Sequence, residues 1–216
     1  MIFFQRTLIL DNEFNDSQLA SEARTKERGV SVLLRKKRLL AISGMPGAGK
    51  GVASEAAKDL GLDVLVLGDV IREETERRGL EPTPKNVGTV MLQVRKDEGP
   101  AVVAKRLVPK IEASKSATVV VEGIRSEEEI SELKSNFEVI TVAIHASPRT
   151  RFQRLLSRGR SDDPKTWDIF YERDCRELNV GLGHVIALAD ILLVNEGTID
   201  ELQTSFKAAL SKLKQQ

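Results

Sequence analysis

The sequence is poor in the residues that build covalent or metal-held frameworks. A single cysteine, Cys175, and two histidines stand among its 216 residues. One cysteine excludes an intramolecular disulfide and a cysteine-based zinc site. The two histidines, His145 and His184, lack the spacing of a metal-binding pair. Such cysteine usage is typical of a reducing compartment, so we expect a cytoplasmic protein.

Long apolar runs and an excess of one charge are missing as well. No run approaches the ~18–20 apolar residues of a membrane span. Lys and Arg total 33 against 32 for Asp and Glu, which gives a formal net charge of +1. The sequence therefore predicts no membrane partner, and its charge balance does not favour nucleic acid as a partner. Its apolar fraction of 41% is enough for one sizeable core.

The first 37 residues differ from the rest of the chain. Apolar and charged residues mix there without a sustained period, and the stretch closes on the basic run Arg35–Arg38. We predict an N-terminal extension over residues 1–37, with a weak helix from Ser17 to Arg28. A solvated flank before a buried strand is the favoured interpretation of the basic run, and contact with an anion or nucleic acid is the alternative.

From residue 38 to residue 216, short apolar runs alternate with helical signals. The runs are continuous and rich in β-branched residues, which is typical of strands buried on both faces of a parallel sheet. They are Leu39–Ile42, Val64–Leu67, Thr118–Val121, Val139–Ile144 and Ile191–Val194. This alternation predicts an α/β fold with a five-stranded parallel sheet flanked by helices.

Several helix starts are marked by their capping residues. Ser126–Glu129 and Thr198–Glu201 fit the capping box, in which a hydroxyl and a carboxylate satisfy backbone amides. Thr83, Ser147 and Asp163 each precede a proline, which predicts an N-cap followed by proline at the first helical position.

One interval is too long for a simple crossover between two strands. About residues 69–112 contain three helical stretches and no strand. We predict a helical insertion there, which covers the carboxyl edge of the sheet, where ligands bind in this architecture.

The strongest motif is a glycine-rich loop between the first predicted strand and a helix. Its glycines let backbone amides surround a phosphate, the helix N-terminus adds positive charge, and its lysine reaches the outer phosphates. We therefore assign nucleotide binding to Gly44, Met45, Pro46, Gly47, Ala48, Gly49, Lys50, Gly51 and Val52. Because the position after Lys50 is glycine, the hydroxyl that ligates Mg²⁺ in most P-loop proteins is absent.

An arginine cluster is the second unusual feature. Arg151, Arg154 and Arg158 share one predicted helix face, and Arg149 and Arg160 flank them without an acid among residues 147–161. Unpaired like charges repel unless an anion fills the space between them, so a triphosphate is the favoured interpretation. A solvated face and RNA phosphate are the alternatives. Gly159 suits the hinge of a lid over about residues 157–166.

Two acids are candidates to hold Mg²⁺ through water. Glu122 follows the apolar run Val119–Val121 toward the ligand edge of the sheet, and Asp69 opens a predicted helix. Asp69 fits the N-cap of that helix equally well. Further along, we expect the core face of a helix to be formed by Trp167, Phe170, Tyr171 and Leu178.

These motifs together resemble one family of nucleotide enzymes. Gly44-x-Pro-Gly-x-Gly-Lys-Gly51 is similar to the loop of adenylate kinases and related nucleoside monophosphate kinases, and Gly68-Asp-x-x-Arg72 and Glu122-Gly-x-Arg125 look like their acceptor elements. The segment 154–163 looks like a short lid, and 195–202 is similar to the segment near the donor base, also in dephospho-CoA kinases. The chain as a whole resembles archaeal adenylate-kinase-related P-loop proteins.

The resemblance implies an enzyme that transfers the γ-phosphoryl group of ATP, with Mg²⁺, to a small acceptor, most simply a nucleotide. It implies catalytic roles for Lys50, Arg125, Arg158 and Arg160. It assigns the donor to Arg154, Asn195 and Gly197, and the acceptor to Asp69, Arg72 and Arg125. The alternatives are a dephospho-CoA-type or other metabolite kinase and, in another class, an ATPase module acting on a protein or RNA.

The chain also departs from the family pattern on the acceptor side. Glu122 replaces an aspartate, Arg125 comes one residue early, and Glu129 stands where adenylate kinases have a glutamine that contacts the AMP base. A carboxylate cannot donate to the adenine ring nitrogen, and an unpaired polar edge costs about 1–3 kcal/mol. The sequence therefore predicts that AMP is a poor acceptor.

Overall fold

The computed structural model describes residues 36–160 and 163–213. The described residues all belong to one compact unit of the chain, which begins at Lys36. Most of the predicted extension, with its helix Ser17–Arg28, lies outside the described residues.

The described residues form strands and helices in alternation, as predicted. The strands are β1 (Arg38–Ser43), β2 (Asp63–Val66), β3 (Thr118–Ile124), β4 (Glu138–His145) and β5 (Ile191–Val194). The helices are α1 (Lys50–Asp59), α2 (Leu67–Arg77), α3 (Pro84–Glu98), α4 (Val102–Ala113), α5 (Glu127–Asn136), α6 (Pro148–Arg158), α7 (Trp167–Val180), α8 (Leu182–Ala187) and α9 (Ile199–Leu213). None of these helices is long and apolar enough to cross a membrane.

A parallel five-stranded sheet forms the centre of this unit. Its strand order is β2-β3-β1-β4-β5, and every pair of neighbours is parallel. The predicted parallel sheet is therefore confirmed. Because all strands run the same way, their carboxyl ends share one edge, and the loop after the central strand β1 opens at the middle of that edge.

Helices cover both faces of the sheet, and the side chains of β1 alternate between the two layers. Leu40 and Ile42 pack with α1 and α9 on one face. Leu39 and Ala41 pack on the other face, with the buried residues of α2–α5 and α8. This double burial explains why the strands have continuous apolar sequences, without the alternation expected of a half-exposed sheet.

The predicted helical insertion is present as α2, α3 and α4, which occupy the interval between β2 and β3. A buried carboxylate, Glu74, links two of these helices. It accepts hydrogen bonds from Arg77 and Arg78 of α2 and from Arg106 of α4. These bonds, Arg78's above all, lower the pKa of Glu74 to about 2, although burial opposes them.

The cap predictions are confirmed at some helices and fail at one. Thr83 and Ser147 cap α3 and α6, with proline following each cap. Thr198 and Glu201 exchange both capping-box bonds. Asp163 is not an N-cap, because α7 begins later, at Trp167, with Thr166 as its cap.

The basic run before β1 has a structural role. The Lys37 ammonium donates to the carbonyls of Ile111, Glu112 and Ser114 at the end of α4, at 2.7, 3.2 and 2.6 Å. Arg38 pairs with Glu138 at 3.3 Å. A cation at a helix C-terminus satisfies carbonyls that have no partner within the helix. The prediction that the basic run is only solvated is therefore wrong for Lys37, which binds backbone carbonyls of the protein.

Candidate active site

The glycine-rich loop connects β1 to α1, and its glycines adopt conformations that other residues avoid. Gly44, Gly47 and Gly49 have φ angles of 149°, 81° and 107°. A Cβ at Gly44 would lie 2.4 Å from the carbonyl oxygen of Ile144, and one at Gly49 would lie 2.4 Å from the side-chain nitrogen of Asn195. Both positions therefore require glycine on steric grounds as well as conformational ones.

Gly51 differs from these three glycines. It lies in the first turn of α1, and no atom comes within 4 Å of the position its Cβ would occupy. Packing within the described part of the chain does not demand glycine here. The first turn of α1 is therefore open on this side, next to Lys50.

Lys50 lies at the centre of the charged groups of the site. Its ammonium donates to the carbonyls of Gly44 at 2.6 Å and Met45 at 3.3 Å. Burial lowers the pKa of Lys50 to about 8, with the negative charge of Glu122 opposing that shift and the positive charge of Arg125 adding to it. The negative charge of Glu177 also raises the pKa of Lys50, and the positive charge of Arg173 also lowers it.

This lowered pKa predicts proton uptake when a polyphosphate binds. Negative phosphate favours the charged ammonium, so bound ATP should raise the pKa of Lys50 above 8. At pH 8 about half of the free protein carries a neutral Lys50, so binding should take up about half a proton. Calorimetric titration with ATP in two buffers of different ionisation enthalpy measures this uptake. A Lys50→Met variant should give equal heats in both buffers, and equal heats from the unaltered protein would contradict the prediction.

Glu122 lies beside the loop, but it does not end its strand as the sequence predicted. β3 continues to Ile124, and its register with β1 shifts after Glu122 because Gly123, at φ 95°, bulges out of the pairing. The carboxylate of Glu122 accepts a hydrogen bond from Ser54 of α1 at 2.5 Å. The strand thus places this acid opposite α1, one turn beyond Lys50.

The residues present fit Mg²⁺ in one particular way. Within residues 36–160 and 163–213 no group of three or more Asp, Glu, His or Cys side chains could hold a metal ion. Mg²⁺ commonly binds through one or two carboxylates together with substrate phosphates and water. Glu122, an oxygen ligand fixed by Ser54, fits that mode.

Arg125 follows the bulge and lies between the insertion and α7. One of its terminal nitrogens is 3.1 Å from the sulfur of Met91 in α3. Its Nε is 3.4 Å from a carboxylate oxygen of Glu177 in α7. Arg125 is therefore held from two sides, and its charge contributes to the lowered pKa of Lys50.

Asp69 and Arg72 form an ion pair with each other on α2, and both side chains are about half exposed. Because α2 begins at Leu67 with Val66 as its N-cap, Asp69 lies in the first helical turn. The interpretation of Asp69 as an N-cap is therefore wrong. An acid in the first turn still has a favourable interaction with the helix dipole.

The predicted face of unpaired arginines on α6 is not found. Arg151 is buried, and its guanidinium donates to both carboxylate oxygens of Asp174 at 2.9 and 2.6 Å. It also donates to the carbonyls of Ala146 and Pro46, the second of which belongs to the glycine-rich loop. Arg151 therefore supports the loop from behind, and a buried acid supplies its counter-charge instead of a bound anion.

Arg154 brings together the predicted donor residues. Its guanidinium donates to the Asn195 carbonyl at 3.0 Å and to the Gly197 carbonyl at 3.1 Å. The Asn195 side chain, itself buried, donates to the carbonyl of Ala48 at 2.8 Å. Arg154, Asn195 and Gly197 thus form one connected group that reaches the glycine-rich loop.

The lid arginines also have a counter-charge. The buried carboxylate of Asp163 accepts from the Arg158 guanidinium at 2.9 and 2.5 Å and from the backbone amide of Arg160 at 3.0 Å. Arg173 of α7 lies 3.8 Å from the same carboxylate. These cations, Arg158 first, lower the pKa of Asp163. Asp163 therefore holds Arg158 of α6, the amide of Arg160 and Arg173 of α7 together.

The predicted core face of α7 is confirmed for one of its four residues and wrong for the other three. Phe170 is buried, but the side chains of Trp167, Tyr171 and Leu178 are 46%, 62% and 50% exposed. The helix turns Phe170 and Asp174 inward, because Asp174 must reach the guanidinium of Arg151. The inward side of this helix therefore combines the buried ring of Phe170 with the ion pair of Asp174, and it is not a continuous apolar stripe.

Several residues of the site were not found from the sequence. Ser54, Asp174 and Glu177 contact residues that were predicted, but none belongs to a recognised motif. For α7 a usable signal existed, since Phe170, Asp174 and Glu177 follow the i, i+4, i+7 spacing of one helix face. No local signal marks Ser54, whose partner is 68 residues away.

One buried hydroxyl at the start of the loop has no partner in the described structure. Ser43, the last residue of β1, is 1% exposed, and its side-chain oxygen makes no hydrogen bond there. By the alternation along β1, it faces the same side of the sheet as α2–α5. A polar atom left unpaired costs stability, so this position is uncommon in a core.

Comparison with known proteins agrees with this geometry. The model of an AAA domain family matches residues 43–168, from the end of β1 into α7. A UPF0200 protein of Pyrococcus furiosus is 48% identical over 81% of this chain and 97% of its own length. A UPF0200 protein of Hyperthermus butylicus is 46% identical over 81% of this chain and 94% of its own length.

Solved structures share the fold at low sequence identity. TT1252 from Thermus thermophilus is 17% identical, with a TM-score of 0.58 over 83% of this chain and 99% of that one. A shikimate kinase from Bacteroides thetaiotaomicron is 15% identical, with a TM-score of 0.54 over 80% and 98%. Together with the matches in sequence, the parallel sheet and the loop after β1 show that the chain has the P-loop kinase fold and belongs to the AAA domain family, alongside the UPF0200 proteins.

Proposed function

We propose that the protein is an ATP-dependent phosphotransferase that acts on a small phosphate-bearing acceptor, most simply a nucleotide. The observation that carries this proposal is the position of Arg125. It lies between α3 of the insertion and α7, and its charge acts on Lys50 of the loop. A site that only hydrolyses ATP needs no such cation beside the insertion.

In this proposal the chain acts through position and charge. The acceptor oxygen forms a bond to the γ-phosphorus, the bond from that phosphorus to the bridging oxygen breaks, and ADP leaves. An acceptor phosphate attacks as its anion and has no proton to release, whereas a hydroxyl acceptor would give its proton to water. Such transfer needs alignment and charge neutralisation and little covalent help. Lys50 and the loop amides would hold the donor phosphates, and Arg158 and Arg160 would balance charge on the transferred group.

The remaining assignments follow from the contacts of each residue. Arg154, Asn195 and Gly197 would hold the donor's base end, because they form one group tied to the loop. Arg125, with Arg72 and Asp69 on α2, would hold the acceptor. Mg²⁺, when bound with ATP, would offset phosphate charge, and Glu122 is the acid placed to hold it through water.

The expectation that AMP is a poor acceptor stays a prediction, but its basis changes. Glu129 is fully buried, pairs with Arg95 at 2.6 Å and accepts from the backbone amide of Arg125 at 2.8 Å. It therefore supports the segment after β3 and does not contact a base. No amide at that place would read adenine, so the family's way of recognising AMP is missing. The kinship to adenylate kinases is part of this proposal.

A panel of acceptors tests the proposed function. ATP consumption with Mg²⁺ is measured alone and with AMP, CMP, UMP, GMP or dephospho-CoA, each at the same concentration. We expect one acceptor to raise ATP consumption at least tenfold and to appear as a phosphorylated product, with AMP not the best by kcat/KM. Arg125→Ala should remove the stimulation and leave ATP binding intact, because its contacts lie on the acceptor side.

Other outcomes of the panel decide against the proposal. ATP hydrolysis that no small acceptor stimulates, and that Arg125→Ala does not change, would favour an ATPase module instead. If AMP gives the highest kcat/KM, the proposed phosphotransferase function is supported, but the prediction that AMP is a poor acceptor is wrong. Glu172→Ala, on the exposed side of α7, is the matched control for Arg125→Ala and should behave as the unaltered protein does.

A further inference from the structure

Gly88 lies inside α3 without a packing reason. It is half-buried and in the second turn of a 15-residue helix. Apart from its chain neighbours and the backbone of its own helix, no atom of the described residues comes within 4 Å of the position a Cβ would occupy. Glycine inside a helix is less stable than alanine by about 0.5–1 kcal/mol. Neither its backbone angle nor its neighbours require glycine, so the space beside it is left open by the fold.

The helical periodicity of α3 shows which way this open space faces. Met91, three residues after Gly88, contacts the Arg125 guanidinium. Arg95, seven residues after Gly88, pairs with Glu129 just beyond Arg125. Residues at these spacings share one side of a helix. The open surface over Gly88 therefore lies on the side of α3 that faces Arg125.

An exposed apolar side chain borders the same surface. Leu92 follows Gly88 by four residues, and its side chain is 63% exposed. The core-facing side of the helix is different, since Val90 and Val94 are buried there. Gly88, Met91 and Leu92 thus form a mostly apolar surface beside a cation, with no side chain at position 88, which we call the α3 surface.

We propose that Gly88 determines acceptor specificity by keeping the α3 surface open for a planar ring. The acceptor class is then a phosphate monoester that carries a nucleobase, with its phosphate near Arg125 and its ring against Gly88 and Leu92. This inference rests on the proposed function, because it takes Arg125 as the residue that holds the acceptor phosphate. Any side chain at position 88 would project into the volume that the ring needs.

Binding measurements test this without phosphoryl transfer. The probes are CMP, UMP, AMP and GMP, with ribose 5-phosphate as the probe that has the phosphate and sugar but no ring. Kd values are measured by calorimetry for the unaltered protein, Gly88→Ala and Gly88→Leu. We expect Gly88→Leu to raise the Kd of the tightest-binding nucleoside monophosphate at least tenfold, because a few methylene groups in a fitted site change affinity by 10-fold to 200-fold. The Kd values of ribose 5-phosphate and ATP should not change.

Stability supplies the second, independent readout. Gly88→Ala should raise Tm, since alanine favours the helix. The same substitution should weaken binding of the nucleoside monophosphate. Thr89→Ala is the matched control, because Thr89 is exposed on another side of α3 and bonds only to the Lys85 carbonyl at 3.0 Å. It should also raise Tm, but it should leave every Kd unchanged. This opposite movement of stability and affinity distinguishes a site residue from a structural one.

The inference is overturned if Gly88→Leu binds the nucleotide with the Kd of the unaltered protein. It is overturned as well if the substitution weakens binding of ribose 5-phosphate by the same factor. It is also overturned if no nucleoside monophosphate binds more tightly than ribose 5-phosphate. These failures differ from failure of the proposed function, which appears as ATP consumption that no acceptor of the panel stimulates. Stimulation by dephospho-CoA alone, which is not a phosphate monoester, would end this inference and leave the proposed phosphotransferase function standing.

Discussion

Replacing Lys50 with alanine should lower the rate of phosphoryl transfer by at least about 10²-fold, the range found when a charge-stabilising group is removed from a transition state. The Tm should not change appreciably. Among the described residues, the ammonium donates only to the carbonyls of Gly44 and Met45, and its burial already disfavours the charged form, as the lowered pKa shows. The measurement is kcat in a coupled assay of ADP formation, with Tm recorded for the same sample.

Lys58→Ala provides the matched control for this substitution. Lys58 belongs to the same helix, is exposed, and pairs only with Glu55 on the surface. Its loss should change neither turnover nor Tm appreciably, because exposed ion pairs contribute little. Near-normal turnover by Lys50→Ala would show that the glycine-rich loop does not carry out the proposed reaction.

Replacing Asp174 with alanine should cause a large loss of stability. The change leaves the buried Arg151 guanidinium without its bidentate partner, and breaking a buried pair costs about 3–5 kcal/mol. For a chain of this size that loss lowers Tm by roughly 10 °C. Chemical denaturation, followed by circular dichroism at pH 7, measures the free energy of unfolding directly.

Two further variants show whether the ion pair is the cause. Asp168→Ala removes an exposed acid from the first turn of the same helix and should cost well under 1 kcal/mol. The double variant Arg151→Met with Asp174→Leu removes both charges, and it should recover most of the lost stability because no buried charge remains unpaired. An unchanged free energy of unfolding in Asp174→Ala would support the predicted role of Arg151 in binding an anion.

The sheet and the loop were predictable because their determinants are local. Five buried strands give five apolar runs, and the predicted limits agree with the observed ones within three residues, exactly so for β5. β3 is longer than predicted because Glu122 and Gly123 are not apolar, although the strand continues through a bulge. The loop was predictable for a similar reason, since its glycines are needed for backbone geometry that no other residue supplies.

The electrostatic pairing was not predictable, because partners far apart in sequence decide it. Arg151 looked like part of an anion-binding face, since its acid stands 23 residues away on another helix. Glu129 was noted only as a departure from the family's base-reading glutamine, because its partner Arg95 is 34 residues away in α3. Asp163 looked like a helix cap, whereas it holds the arginines of the lid. In each case only contacts between distant parts of the chain reveal the partner of the residue.

The buried amide of Asn195 has a consequence for how a nucleotide would enter this site. Through that amide the loop that would hold the phosphates is bonded to the segment that would hold the base, and Arg154 and the His145 carbonyl fasten the segment again. Both ends of the donor therefore meet one preassembled cradle, and the entropy needed to order it is spent during folding and not during binding.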